Sequence, residues 1–108
     1  MGKIKDIGLI SRIIVERLKP LKPLRIIIFG SYAYGIPSEN CDLDLCIVKE
    51  SVASKIKEKR KIRILLEDLG IPKDILVPTI SEYDFYKNEF GSVYRDIDQK
   101  GNVIWSSI

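Results

Sequence analysis

Between positions 42 and 47 the chain alternates strictly, with Asp42, Asp44 and Cys46 interleaved with Leu43, Leu45 and Ile47. A period of two is the signature of a β-strand with one buried face. The apolar face requires a sheet and a covering layer. The other face holds two carboxylates of like charge on an element where Asp is disfavoured, and they repel by roughly 1 to 3 kcal/mol when weakly screened. That arrangement asks for a cation, the alternative for the pair taken alone being two solvated carboxylates on a surface strand. Magnesium is the fitting one, because it prefers one or two carboxylates together with waters and phosphate oxygens.

The elements around this strand follow from periodicity and breakers. Ile4, Ile7, Ile10, Ile14 and Leu18 recur at helical spacing, and Pro20 and Pro23 end that helix. Leu24 to Phe29 is a compact apolar strand closed by Gly30. Ile62, Leu65, Leu66 and Leu69 predict a helix that stops at Gly70, and Asp74 to Ile80 predicts a third strand. Ser81 is the expected cap of the next helix, with Asp84 at its third position. Gly91 interrupts it before a helical piece from Ser92 to Gln99, and Val103 to Trp105 is an edge strand. No repeat or Gly/Ser linker divides the 108 residues, so residues 1–108 are expected to form one domain.

Two further features stand beside the paired carboxylates. Gly30 and Ser31 close the first strand at a turn where backbone N–H groups and a small hydroxyl can approach phosphate oxygens. Asp74 opens the third strand as Asp42 opens the second. If the first two strands are antiparallel and the third is parallel to the second, Gly30, Ser31, Asp42, Asp44 and Asp74 meet at one end of the sheet.

Composition removes competing chemistries. The chain contains no His, which excludes Ser-His-Asp and Cys-His catalysis and His-ligated zinc. A net charge of +3 is too mild to mark a nucleic-acid binder, and direct nucleic-acid binding is not expected. No apolar run is long enough for a membrane span or a signal peptide, which predicts a cytoplasmic protein. Cys41 and Cys46 fall on opposite faces of the strand and are read as reduced thiols rather than a disulfide.

Lys55, Lys57, Lys59, Arg60, Lys61 and Arg63 crowd one helix with Glu58 as the lone acid. This run starts at the end of the sheet opposite Asp42 and is read first as a solvated face, with a partner or RNA surface and nucleotide binding as alternatives. Tyr83, Phe85, Tyr86, Phe90 and Tyr94 are read as core, with a dimer or partner surface as the alternative. Trp105 is expected to cap the core edge.

Gly30, Ser31, Ala33, Gly35, Asp42 and Asp44 resemble the G-S-x10-D-x-D signature of the DNA polymerase beta-like nucleotidyltransferase superfamily, and the chain is most similar there to the minimal nucleotidyltransferase (MNT) proteins. The resemblance runs from about residue 3 to 105 and includes the stretches 74–79 and 92–105. Cys41 stands where Ser is common, and Tyr32 and Tyr34 stand where basic residues are common. The resemblance implies an α/β (α+β) nucleotidyltransferase fold: a mixed four-stranded sheet, helices packed on one face, and an open carboxylate-bearing face. It implies transfer of AMP from ATP to a hydroxyl, with Asp42, Asp44 and Asp74 holding two Mg2+ ions or, for Asp74, taking the proton. Gly30 and Ser31 would hold the triphosphate together with Asp42 and Asp44. Similar MNT proteins are antitoxins that adenylylate a tyrosine of a helical HEPN ribonuclease toxin, so a HEPN-type partner is expected. The competing class is a non-catalytic antitoxin that neutralises its partner by contact.

Overall fold

The computed structural model describes residues 7–30 and 42–108. Helix α1 spans Ile7–Leu18 and buries Ile10, Ile14 and Leu18, one residue per turn of a single stripe. Pro20 follows in a short 3-10 turn, and Lys22 in the left-handed region turns the chain into strand β1, Arg25–Phe29. Strand β2 covers Leu43–Val48, helix α2 Lys55–Leu65, and strand β3 Lys73–Leu76. Helices α3, Ile80–Tyr86, and α4, Val93–Lys100, precede strand β4, Asn102–Ser106. No helix among the described residues is long and apolar enough to cross a membrane.

The strands form a four-stranded mixed sheet in the order β3-β2-β1-β4. Strand β1 is antiparallel to β2 and β4, and β3 runs parallel to β2 through the α2 crossover. One face carries Ile26, Ile28, Leu43, Leu45, Ile47 and Ile75, packed with the buried stripes of α1 and α2. Each such side chain contributes roughly 1.5 to 3 kcal/mol when fully buried. Trp105 packs at the edge of this layer as expected, its ring under the Lys19 ammonium and its indole N–H donating to Pro23 O at 3.4 Å.

The opposite face corrects one expectation. Ile27, Cys46 and Val48 are covered by Tyr83 of α3 and Ile97 of α4, so helices lie on both faces, and the carboxylates occupy the part of this face nearer the start of β2. The second layer forms because β2 stays apolar on that side beyond Asp44. The aromatic set divides accordingly: Tyr83 is buried and Tyr94 packs against it, whereas Phe85, Tyr86 and Phe90 are exposed.

The third strand also ends earlier than Asp74 to Ile80, because Thr79 rather than Ser81 caps α3. The Thr79 hydroxyl accepts from Glu82 N–H at 3.2 Å, and the Glu82 carboxylate accepts from Thr79 N–H at 2.9 Å. This reciprocal pair satisfies two backbone donors at once, which a Ser81 to Asp84 cap does not achieve here.

Glu58, the lone acid of the basic run, is buried and ion-paired to Lys49 at 2.6 Å, tying the first turn of α2 to the end of β2. Lys55 at the start of the same helix pairs with Glu82 of α3 at 2.8 Å. Glu58→Ala leaves a largely buried ammonium without its partner and should destabilise the fold by about 3 kcal/mol. Urea unfolding of the two proteins checks this, and an unchanged midpoint would show that Lys49 finds water instead.

Candidate functional site

The site is built by register. Phe29 pairs with Asp44 across the antiparallel β1–β2 ladder, and Asp44 pairs with Asp74 across the parallel β2–β3 ladder. Residues opposite one another in a sheet point to the same face, so Asp44 and Asp74 are lateral neighbours. Asp42 precedes β2 on the same alternation and is exposed, as is Asp74. Asp44 is half-buried between them. Of the five residues expected from the sequence, Gly30, Asp42, Asp44 and Asp74 thus gather at one end of the sheet; Ser31 lies outside the described residues, as do Tyr32, Ala33, Tyr34, Gly35 and Cys41.

Electrostatics couples the carboxylates. Burial raises the Asp44 pKa above the ordinary carboxylate value, and the charges of Asp74 and then Asp42 push it in the same direction. The ionised form of Asp44 is therefore short of positive charge. Asp42, Asp44 and Asp74 offer only hard oxygen donors, the set that magnesium selects. Among the described residues no three His, Cys, Asp or Glu side chains stand close enough to hold an ion as placed.

Gly30 meets this carboxylate directly. Its φ is +72°, and a Cβ built there would collide with Asp44 Oδ2 and lie 3.2 Å from Asp44 Cγ. The Asp44 carboxylate occupies the volume that any other residue's side chain would fill. Reading the sequence supplied Gly30 as a turn residue but not this contact, for which the only signal was that Gly30 directly follows the strand paired with Asp44.

On the same face, burial pushes the Cys46 thiol up to about 12, against the opposing charge of Arg25. It is a protonated packing group, not a nucleophile. The Tyr83 hydroxyl donates to Asp98 at 3.1 Å and braces α3 against α4.

The basic run starts at the end of the sheet opposite Asp42, as expected, and its course brings its later residues back toward the carboxylate end. Strand β3 is parallel to β2, so α2 must travel back along the sheet, and its later residues Arg60 and Arg63 line a hollow with Lys73, immediately before Asp74. The run starts far from the carboxylates and ends beside their edge strand.

Comparison with known proteins agrees with this architecture. Residues 10–100 match the family model described as nucleotidyltransferase domain. A Methanocaldococcus jannaschii protein named as a protein adenylyltransferase is 33% identical over 81 residues, covering 75% of this chain and 76% of that protein. A chain of a toxin–antitoxin crystal structure with AMP-PNP superposes with a TM-score of 0.67 at 19% identity, covering 90% of this chain and 73% of its own. A chain from the complex of a tri-AMPylated Shewanella oneidensis HEPN toxin with its MNT antitoxin gives 0.63 at 16% identity, over 94% and 73% of the two chains. With the family model spanning most of its length and its carboxylates gathered at one end of the sheet, the chain belongs to the nucleotidyltransferase domain family.

Proposed function

We propose that this chain transfers AMP from ATP to a tyrosine hydroxyl of a HEPN-type toxin and acts as its antitoxin. The observation that carries the reading is the half-buried Asp44, flanked by Asp42 and Asp74 and packed on the backbone of Gly30. This is a concentration of negative charge at an accessible sheet end that a metal–triphosphate complex would complete. The adenylyltransferase name of the M. jannaschii relative supports the reaction class, and the AMP-PNP and AMPylated-toxin complexes support the nucleotide and the kind of acceptor.

In this reading Asp42 and Asp44 hold magnesium, two ions in all, and Asp74 either ligates the second ion or accepts the proton of the attacking hydroxyl. When bound, the metal supplies charge neutralisation of the phosphates and a lowered hydroxyl pKa. Gly30 makes room for the Asp44 carboxylate, and the backbone of Gly30 with the Ser31 hydroxyl would hold the triphosphate. The acceptor oxygen bonds to the α-phosphorus, the bond from that phosphorus to the oxygen bridging to the β-phosphate breaks, and pyrophosphate departs as the hydroxyl proton passes to a base. In this reading the partner brings its own tyrosine hydroxyl into line with the α-phosphorus.

The test is intact-mass measurement of a HEPN-type toxin after incubation with this chain, magnesium and ATP. Addition of one or more AMP groups on tyrosine is expected, lost without magnesium. Neutralisation of the toxin with no change in its mass would favour the contact-only antitoxin. AMP on a small molecule in place of the toxin would keep the transfer and remove the antitoxin role.

A further inference from the structure

Two hollows flank the exposed Ile64 on the outer surface of α2. The first, about 420 Å3, lies between the later half of α2 and the start of β3 and is bordered by Arg60, Arg63 and Lys73 against a single acid, Glu67. Its floor is apolar, from Ile64, Ile71 and Pro72. The second, about 330 Å3, shares Ile64 and continues over Leu65 and Leu21 toward Lys61. Arg17 also borders it, but its guanidinium is already held by Asp68 at 2.7 Å and by Leu65 O at 2.9 Å.

Arg60 and Arg63 of the first hollow are uncommitted among the described residues. Among the described residues no ion pair engages Arg60, Arg63 or Lys73. Lys73 instead donates to Ile71 O at 2.8 Å. Ile64 is 60% exposed, a large apolar side chain standing between two apolar floors.

We propose that this track binds an acidic amphipathic segment of a protein partner, its carboxylates on Arg60, Arg63 and Lys73 and its apolar side chains astride Ile64. Charge complementarity selects an anionic occupant. The lining selects polypeptide over nucleic acid, because neither hollow contains an aromatic ring on which a base could stack, whereas both offer aliphatic floors. The track ends at Lys73, next to Asp74, so a segment seated there tethers its protein beside the carboxylate end of the sheet. It rests on the proposed function only in taking that partner to be a protein.

The test uses fluorescence anisotropy on the full chain with two labelled probes: a short peptide with glutamates on one helical face and leucines on the other, and a uridine oligonucleotide of similar length. The peptide should bind, with affinity falling as salt rises. R60E/R63E should weaken it about tenfold or more, and I64S several-fold, with unchanged thermal unfolding since all three side chains are exposed. Magnesium–ATP titrated calorimetrically should bind R60E/R63E as it binds the unsubstituted chain, because these arginines lie on the α2 side of the sheet. No peptide binding, binding indifferent to R60E/R63E, or an oligonucleotide that binds through the same arginines would each overturn the proposal. Absence of ATP binding by the unsubstituted chain would sink the transferase reading while leaving the peptide result to decide the track.

Discussion

Asp44→Asn should reduce transfer on the order of a thousandfold or more, the scale reached when a group that meets charge in the transition state is removed, while leaving the protein folded and at least as stable in metal-free buffer. The two halves of this expectation have one cause. Asp44 is half-buried and faces Asp74 and Asp42, so its ionised form is the costly one, and its pKa lies above the ordinary carboxylate value. A group whose native pKa is raised binds its proton more tightly folded than unfolded. The metal-free chain therefore gains stability as pH falls through the native Asp44 pKa toward the unfolded value, and loses that increment as pH rises. Asn carries no charge and should show no such increment. Urea midpoints across mildly acidic to neutral pH in EDTA, beside transfer rates, check both parts. An Asn variant that unfolds more readily at neutral pH would mean that Asp44 is a structural acceptor, and one that keeps its transfer rate would remove it from the reaction.

Gly30→Ala should lower transfer about a hundredfold, the cost of moving a reacting group by about an ångström, and should cost roughly 1 to 2 kcal/mol of stability for an L-residue in the left-handed region. The larger effect is steric. The new Cβ would occupy the position of the Asp44 carboxylate, which must swing away from its place beside Asp74. Gly91→Ala separates the two contributions, since Gly91 has φ +82° with nothing within 4 Å of its Cβ position. It should lose comparable stability and no transfer. Equal losses of transfer in both variants would show that backbone strain, and not the displaced carboxylate, is responsible.

Packing α3 and α4 on the carboxylate-bearing face gives that side of the sheet two regions with different tasks. Cys46 and Val48 are sealed under Tyr83 and Ile97, whereas Asp44, one alternation earlier on the same strand, stays accessible. The far end of the strand is tied down through Lys49, which pairs with Glu58 of α2 and bridges to Thr79, its carbonyl accepting from Ile80 N–H at 2.7 Å. A carboxylate held on a rigid strand keeps its spacing from its neighbours when charge enters the site.

Local chemistry was enough to place four strands, though not the bounds of the third, the described part of the α1 stripe, and the grouping of Gly30, Asp42, Asp44 and Asp74, because alternation and breakers act over a few residues and register then follows from strand direction. The chain alone also excluded histidine chemistry. Tertiary structure decided what depends on competition between distant groups. Thr79 displaced Ser81 as a cap because Glu82 could answer it, and Glu58 took Lys49 of the strand end as its closer partner while keeping Lys61 at 3.8 Å. Helices α3 and α4 found an apolar patch beside the carboxylates because residues 46 and 48 continue the Asp42 and Asp44 face without charge. The course of α2 could be read only with the sheet assembled: a helix advances about 1.5 Å per residue, and the parallel crossover carries Arg60 and Arg63 back to the edge where Lys73, one residue before Asp74, begins its strand.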